Sequence, residues 1–295
     1  MRIFVTGATG FLGTVIVQQL IASGYQVLGL TRSERGAELL KSLGAEAHFG
    51  NLDDLPGLQR GAQAADGVIH TAFNHDFSTF AANCEADGKV IAALGDALAG
   101  SDRPLIITSF VAMGASEPGK PATEDGYNIQ TPNPRKATEM AGVAQLEKRV
   151  NVSFVRLPQV HNTVKQGLIS PLIELAREKG VAAWIGEGKN RWSAVPLEDA
   201  ARLYVLALGL KVPGARYHAV AEEGITTREI AEVIGQGLGI PAQSITQQEA
   251  EAHFGWLNTF AGHDMSASSE LTRQRTGWQP VGPTLLDDLR NMNYR

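Results

Sequence analysis

Short apolar runs alternate with amphipathic stretches along the first half of the chain. The runs are bounded by turn residues and have the length of strands buried on both faces of a sheet. They lie at residues 2–6, 25–30, 45–49, 67–72, 104–109 and 152–157. Stretches of helical length separate them, as at residues 14–21, 34–42, 78–98 and 135–150. The alternation predicts an α/β fold of the Rossmann type, a doubly wound parallel sheet with helices on both faces.

The pattern changes after Pro158, where helical periodicity dominates. Helices are predicted at residues 169–179, 197–208, 227–238, 247–257, 269–276 and 285–292. Residues 217–220 read as one more strand that returns to the sheet. We therefore predict a Rossmann domain over residues 1–160, with 195–222 returning to it. Residues 161–194 and 223–295 would form a smaller, mostly helical substrate-binding lobe over the carboxyl ends of the strands.

Two helix starts carry capping signals in the sequence. Ser33 is a predicted N-cap for the helix at residues 34–42. Thr226 and Glu229 have the spacing of a capping box at the start of the helix at residues 227–238. Both signals support the helix boundaries that the periodicity predicts.

A glycine motif follows the first strand at once and opens the first helix. Gly7 would allow a tight turn, Gly10 would let the backbone approach a pyrophosphate, and Gly13 would let the helix pack closely on the strand. The free N–H groups of the helix N-terminus would face the phosphates. The motif predicts a dinucleotide site that uses Gly7, Thr9, Gly10, Phe11, Leu12 and Gly13. The alternative is a tight strand-to-helix turn without a ligand.

The residues after the second strand indicate which dinucleotide is bound. Sites for NAD commonly have an acidic residue there, which binds the ribose hydroxyls, whereas an arginine accommodates the 2′-phosphate of NADP. This chain has Arg32 at that position and no acid at residues 31–33, and Thr31, Ser33 and Arg35 could assist. We therefore predict NADP(H) as the cofactor, with NAD possible. The alternative is a solvated surface arginine.

Composition narrows the classes of function. The net charge is −5, 43% of the residues are hydrophobic, and the basic residues are not clustered. We therefore expect neither a nucleic-acid interface nor an anionic-membrane patch. Cys84 is the only cysteine, so no internal disulfide can form, and no apolar run reaches transmembrane length. With a first strand that begins at residue 2, these features predict a cytoplasmic protein without a metal site.

Several motifs in order resemble those of one enzyme family. They are the glycine motif, Val68-Ile69-His70-Thr71-Ala72, Thr108-Ser109, Val155-Arg156-Leu157-Pro158 and Val195-Pro196-Leu197-Glu198-Asp199-Ala200-Ala201. Together they resemble the extended and atypical short-chain dehydrogenase/reductases, the NAD(P)-dependent epimerase/dehydratase family. The resemblance covers nearly the whole chain. It implies a nicotinamide cofactor and chemistry at a carbonyl or alcohol.

The catalytic tyrosine of that family has no counterpart in this chain. The family uses Ser/Thr, Tyr-x-x-x-Lys and an upstream Asn, and no Tyr-x-x-x-Lys is present. Arg135 and Glu139 match the Lys and a Glu four residues later, which puts Thr131 at the tyrosine position; a one-residue shift would use Lys136 and Pro132 instead. The resemblance therefore implies a degraded motif in which the catalytic candidates are Ser109, Asp87 in place of the Asn, Arg135, and Tyr127 as a surrogate acid.

The resemblance also implies further cofactor and substrate contacts. Adenine would contact Asn51 and Leu52, the ribose would contact Thr71, Ala72 and Phe73, and Leu157 and Pro158 would lie beside the nicotinamide. The substrate candidates are His161, Arg191, Trp192 and Trp256. His75 and Asp76 could transfer protons or, for Asp76, cap a helix. For Asn51 the alternative is a turn, and for the aromatic residues it is a place in the core.

These observations leave three functions open. The chain could be an NADP-dependent oxidoreductase acting on a small carbonyl or alcohol, a sugar-nucleotide epimerase or dehydratase, or a non-catalytic NADP(H)-binding redox sensor. A homodimer is also predicted, because relatives pair through the two helices that flank the fifth strand. The apolar stripe that would form this contact is Val90, Leu94, Ala97 and Leu98.

Overall fold

The computed structural model describes residues 1–294 of the chain. Its strands are β1 (Arg2–Thr6), β2 (Gln26–Thr31), β3 (Glu46–Phe49), β4 (Gly67–His70), β5 (Pro104–Phe110), β6 (Asn151–Leu157), β7 (Gln159–His161), β8 (Ala182–Ile185), β9 (Arg191–Pro196), β10 (Arg216–His218), β11 (Glu222–Thr226) and β12 (Ala242–Ile245). Its helices are α1 (Phe11–Ala22), α2 (Glu34–Ser42), α3 (Leu55–Gln63), α4 (Phe80–Leu98), α5 (Lys136–Glu147), α6 (Ile169–Lys179), α7 (Leu197–Leu210), α8 (Thr227–Leu238), α9 (Gln247–Phe254), α10 (Asn258–Ala261), α11 (Glu270–Thr276) and α12 (Leu285–Asn291). Short 3₁₀ helices lie at residues 77–79, 111–114 and 255–257.

Seven strands form the main sheet, in the order β10-β6-β5-β4-β1-β2-β3. Every neighbouring pair is parallel. The chain runs outward from β1 to β3, returns to β4 and then continues to the other edge. The carboxyl ends of β1 and β4 are therefore adjacent where the direction reverses, and ligands bind at such a point in open parallel sheets. The predicted fold class is confirmed.

Successive side chains of each strand point to opposite faces of the main sheet and pack against different sets of helices. In β5, Ile106 packs in the cluster formed with α1, α2 and α7, and Ile107 packs in the cluster formed with α3, α4 and α5. Both faces of the sheet are thus covered, which explains why the strands appear in the sequence as continuous apolar runs. The same alternation decides which side of β5 each polar side chain at its carboxyl end faces.

The remaining strands belong to smaller sheets that the sequence pattern did not predict. β11, β9 and β7 form one sheet, and β12 pairs with β8. These strands have three to six residues, and β11 and β12 carry exposed polar residues, so only β8 has an apolar run like those of the main sheet. The lobe is therefore less helical than predicted. Its core cluster joins α6, α8 and α12 to β8 and β9.

Both predicted caps are confirmed. The Ser33 side chain accepts a hydrogen bond from the backbone N–H of Gly36, and Thr226 and Glu229 form both bonds of the capping box. Within residues 1–294, no helix combines the length and apolar character needed to cross a bilayer.

The apolar stripe on which the homodimer prediction rested is covered by the protein's own sheet. Val90, Leu94 and Leu98 are at most 1% exposed, because they pack in the cluster with β4, β5 and β6. The stripe therefore provides no surface for a second copy, and the homodimer stays a prediction without this support.

Candidate active site

The glycine motif forms a tightly packed loop between β1 and α1. Gly7 has φ +70°, and a Cβ there would lie 2.6 Å from Thr71 Oγ1 and 2.8 Å from the Ala72 nitrogen. A Cβ on Gly13 would lie 2.0 Å from the Gly7 carbonyl oxygen. These contacts confirm the packing roles predicted for Gly7 and Gly13 and bring the loop against residues 71–72, which follow β4.

Gly10 differs from its two neighbours in the motif because its missing side chain would face open space. A Cβ there would meet only the Gly7 carbonyl oxygen, at 3.1 Å. Gly10 is exposed and is the N-cap of α1, which has no side-chain cap and no acidic residue in its first turn. The N-terminal N–H groups of α1 therefore stay available to an anion in this cradle.

A second open region lies at the start of α2, beside the glycine loop. Thr9, Ser33, Arg35, Gly36 and Leu39 line a cleft there. Arg32 and Arg35 are both exposed, and neither has an ion pair or hydrogen bond with the residues that the structure describes. Two unpaired cations thus flank the place where the motif would put the adenosine ribose.

Asn51 has a different role from the one predicted for it. Its side-chain oxygen accepts backbone N–H groups from Asp53 at 2.8 Å and Asp54 at 3.1 Å. Both lone pairs of the oxygen are used, so it is not free to accept from an adenine amino group. Asn51 therefore stabilises a turn, which was the alternative to the adenine contact. This turn leads directly into α3, whose N-cap is Asp54.

Asp87 is the centre of a buried polar network at the carboxyl end of β4. It accepts from His70 Nε2 at 3.0 Å, from Thr138 Oγ1 at 2.5 Å and from Arg135 Nη1 at 3.2 Å. Although burial raises the pKa of this carboxyl, Arg135 and the hydrogen bonds from His70 and Thr138 hold the pKa below its usual value. Two of the predicted catalytic candidates, Asp87 and Arg135, therefore meet as an ion pair.

The Arg135 guanidinium also faces the residues that follow β4. Its carbon lies 3.6 Å from the centroid of the Phe73 ring, in a cation–π contact. The side chain is 13% exposed. Arg135 is thus held at one end by Asp87 and presents a fixed positive charge beside Phe73.

Ser109 is buried against α5, contrary to the prediction that its hydroxyl orients a substrate. Its hydroxyl donates to Glu139 Oε1 at 2.7 Å, and the residue is 3% exposed. The reason is strand alternation, because Ser109 faces α5 whereas Thr108 faces α7, where its hydroxyl bonds to Tyr204 at 2.7 Å. Ser109 therefore supports Glu139 and does not line an open site.

Glu139 is the centre of a second buried network, which includes Ser109, Arg156 and Arg216. Both of its oxygens pair with Arg156, at 2.6 and 2.9 Å, and neither side chain is exposed. Arg156 in turn donates to the carbonyl oxygens of Thr123, Glu124 and Gly126, so it ties the loop after β5 to the sheet. These bonds give Glu139 and Arg156 a structural role.

His218 closes this second network. It contacts Arg156 Nη1 through Nε2 at 3.2 Å and the Ser268 carbonyl oxygen through Nδ1 at 2.8 Å. Burial, and then the charge of Arg156, lower the pKa of His218 to about 3. The ring is therefore neutral at pH 7, with Nδ1–H as donor and Nε2 as acceptor.

Tyr127, the predicted surrogate acid, packs beside Arg216 at the edge strand β10. The Arg216 guanidinium lies 4.6 Å from the centroid of the Tyr127 ring. Burial and the charge of Glu139 raise the pKa of the phenol, and this outweighs the opposite effect of Arg216. The family's lysine lowers the pKa of its tyrosine, so Tyr127 lacks that activation.

Three of the four predicted substrate contacts are used inside the lobe. His161 is fully buried, with Nδ1 2.6 Å from Asp288 Oδ2 and Nε2 without a hydrogen-bond partner among the described residues. Trp192 has no exposed surface and donates to the His263 carbonyl oxygen. Arg191 pairs with Asp264 at 3.0 Å. The burial of His161 and Trp192 contradicts the substrate contacts predicted for them, because β7 and β9 turn both side chains into the lobe. Arg191 keeps part of its side chain exposed, so its substrate contact stays a prediction.

Trp256 alone among the predicted substrate contacts is exposed, at 46%. Its ring stacks on Phe77, with centroids 4.4 Å apart, and Phe260 lies edge-on to both rings. The Phe77 ring also contacts Phe80, which contacts Phe73. We call Phe73, Phe77, Phe80, Trp256 and Phe260 the aromatic wall. Phe77 and Phe80 were not among the predicted site residues, although three phenylalanines in the eight residues from Phe73 to Phe80 are a visible signal.

Among residues 1–294, no three His, Cys, Asp or Glu side chains are arranged to hold a metal ion.

Comparisons with known proteins give consistent results. A model of the NAD dependent epimerase/dehydratase family matches residues 3–220. An uncharacterized protein of Schizosaccharomyces pombe is 47% identical over 295 residues and covers the whole of both chains. A 2-alkyl-3-oxoalkanoate reductase of Stenotrophomonas maltophilia is 28% identical over 82% of this chain and 77% of its own length. The crystal structure of a dTDP-glucose 4,6-dehydratase double mutant from Streptomyces venezuelae, with NAD bound, has a TM-score of 0.77 at 19% identity and covers 99% of this chain and 95% of that chain.

Proposed function

The chain belongs to the NAD dependent epimerase/dehydratase family, and from that premise we propose that it is an NADP-dependent oxidoreductase that interconverts a small carbonyl compound and its alcohol. The observation that carries the proposal is the open cradle at Gly10, together with the unpaired Arg32 and Arg35 after β2 and with Arg135 on the ring of Phe73, which follows the residues packed against Gly7. The reductase and dehydratase that resemble the chain support the class of reaction.

The cradle fits the pyrophosphate of a dinucleotide. Gly10 leaves space where any side chain would project, and the uncapped N-terminus of α1 supplies N–H donors and a positive dipole end. Residues 71–72 close the loop on its other side through their contact with Gly7. In this proposal Gly7, Thr9, Gly10, Phe11, Leu12 and Gly13 hold the pyrophosphate, Thr71, Ala72 and Phe73 face the ribose, and Leu157 and Pro158 flank the nicotinamide.

We predict a preference for NADPH that depends on Arg32. A charge-assisted bond from a guanidinium to the 2′-phosphate contributes about 1.5–3 kcal/mol, which is roughly a ten- to a hundred-fold preference over NADH. Arg32→Ala should lose most of this preference while the Kd for NADH stays nearly unchanged. Arg35→Ala tests the second cation, and Arg228→Ala, on the exposed face of α8, is the control. Calorimetric titration with both cofactors measures the effect; equal wild-type affinity for NADH and NADPH would contradict it.

Arg135 has the position and charge to act on the carbonyl oxygen. When bound, NADPH would supply the hydride for the carbonyl carbon, and solvent water would supply the proton for the oxygen, on which negative charge would develop. Arg135 is held by Asp87, so it offers a fixed cation for that charge without having to reorganise. Burial lowers its pKa, but the guanidinium stays charged at neutral pH, so Arg135 stabilises charge and does not donate the proton.

Turnover is the test of the proposed function. The wild-type protein should oxidise NADPH in the presence of a panel of aldehydes and ketones. Its rate should be about 10²–10⁴-fold lower than that of an enzyme with the catalytic tyrosine, because no positioned tyrosine donates the proton. Arg135→Ala should lower kcat by about a further 10²-fold, and Arg135→Lys should recover part of it. The Kd for NADPH, followed by fluorescence, should change little in both variants.

The missing tyrosine also favours the second candidate, a non-catalytic NADP(H)-binding sensor. The same experiment separates the two. Tight NADPH binding without turnover of any carbonyl, in the wild type and in Arg135→Lys, would reject the oxidoreductase and favour the sensor.

A further inference from the structure

We propose that the substrate site is built for an uncharged, flat aromatic or conjugated carbonyl compound, which binds against the aromatic wall. The inference rests on the oxidoreductase proposed above and adds to it the chemical class of the substrate. It places the carbonyl oxygen toward Arg135 and the ring system toward Phe77 and Trp256.

The wall joins two distant parts of the chain. Phe73, Phe77 and Phe80 come from the segment that follows β4 and from the start of α4, whereas Trp256 and Phe260 come from the lobe. The closest ring contact between the two parts is the stacked pair Phe77 and Trp256, whose planes differ by 18°. The wall therefore lies between the sheet and the lobe, where substrate sites of open α/β folds form.

The wall is not an ordinary part of the core. None of its five rings is fully buried, and four of them belong to none of the apolar clusters that stabilise the fold; Phe260 alone packs at the edge of one. Exposed aromatic residues gathered in one place commonly mark a binding surface. Trp256 keeps nearly half of its surface exposed although a second ring stacks on it, so a ring face or edge stays available.

The wall is continuous with the cofactor cradle. Residues 71–72 pack against Gly7, and Phe73 follows them directly. The Phe73 ring carries the Arg135 guanidinium on its face. A ligand that stacks on Phe77 or Trp256 can thus place a polar group near Arg135, on the side where the proposed nicotinamide lies.

The charges around the wall do not suit a sugar nucleotide. A second diphosphate would need several unpaired cations, but Arg135 is paired with Asp87 and Arg191 with Asp264. Lys165, whose charge lowers the pKa of His75, is the one cation near the wall that has no ion pair with the described residues. Hydrogen bonds from Ser78 lower the pKa of Asp76, so a carboxylate lies within the segment that carries Phe73 and Phe77. With a single unpaired lysine and a carboxylate in this region, the wall favours an uncharged aromatic ketone over a ligand that carries two phosphates.

Calorimetry on the full chain saturated with NADP⁺ tests this proposal without turnover. The probes are 2-acetonaphthone, its saturated counterpart 2-acetyldecalin (methyl decahydronaphthyl ketone), and UDP-glucose. We expect 2-acetonaphthone to bind at least about ten-fold more tightly than the saturated ketone, because ring stacking adds to area burial. Trp256→Ala and Phe77→Ala should each remove most of this difference and leave the Kd for NADP⁺ unchanged.

Leu210→Ala is the matched control, because Leu210 is 42% exposed at the end of α7 and belongs to no part of the wall. It should keep the wild-type selectivity. Equal affinity for the two ketones, no binding of either, or tighter binding of UDP-glucose would overturn the assignment. A failure of the oxidoreductase proposal would be seen separately, as NADPH binding without turnover.

Discussion

Gly10→Val is expected to abolish NADP(H) binding while the protein stays folded. The backbone at Gly10 has φ −85° and ψ 175°, which any residue adopts, and a Cβ there meets only one carbonyl oxygen, at 3.1 Å. A branched side chain would nevertheless fill the space that the pyrophosphate needs. We expect the Kd for NADPH to rise by at least about a hundred-fold, since the anion loses its N–H donors at the α1 terminus.

The measurement is calorimetric titration, with circular dichroism to check the fold. Gly209→Val is the control, because Gly209 lies near the end of α7 and a Cβ there has no atom within 4 Å. It should bind NADPH like the wild type. Gly13→Val is not a useful variant, because its Cβ would overlap the Gly7 carbonyl oxygen. Wild-type affinity in Gly10→Val would show that the motif is only a tight turn.

Glu139→Gln is expected to have the largest effect on stability. The change leaves the fully buried Arg156 guanidinium without its bidentate carboxylate partner and weakens the bond that Ser109 donates. Removing one member of a buried ion pair costs about 3–5 kcal/mol, because the other charge stays desolvated. We therefore expect the free energy of unfolding to fall by that amount in urea denaturation.

Glu232→Gln provides the contrast. Glu232 pairs with Arg228 on the exposed surface of α8, at 2.7 Å, and exposed pairs of this kind contribute about 0.3–0.5 kcal/mol. A loss in Glu139→Gln no larger than the loss in this control would mean that water or another group solvates Arg156, and that the network does not hold the loop after β5.

Local sequence features were enough to predict the main sheet and the glycine loop. The strands of the main sheet are continuous apolar runs because helices cover both faces. This pattern can be recognised in the sequence without knowing which other elements each strand contacts. The packing role of Gly13 follows equally from neighbours within a few residues, whereas Gly7 packs on Thr71 and Ala72 at the end of β4. The cap at Ser33 and the capping box at Thr226 could also be predicted, because each joins residues only three positions apart.

The outcome was different for side chains whose role depends on distant partners. Ser109 belongs to a motif at the end of β5, but whether it faces the cleft or α5 is set by the register of the strand in the sheet. His161 pairs with Asp288, which is 127 residues away, and no pattern near His161 indicates that partner. The motif resemblance therefore suggested sites for side chains that the fold buries.

The pattern of apolar and polar residues along the chain determined the Rossmann sheet and the glycine loop between β1 and α1, because these features depend on short-range periodicity and on the steric demands of single residues. Only the tertiary structure decided that Asp87 holds Arg135, that Glu139 holds Arg156 and that Trp256 reaches Phe77. Each of those contacts joins elements far apart in sequence, and which groups meet is set by the packing of whole helices and of the lobe against the sheet.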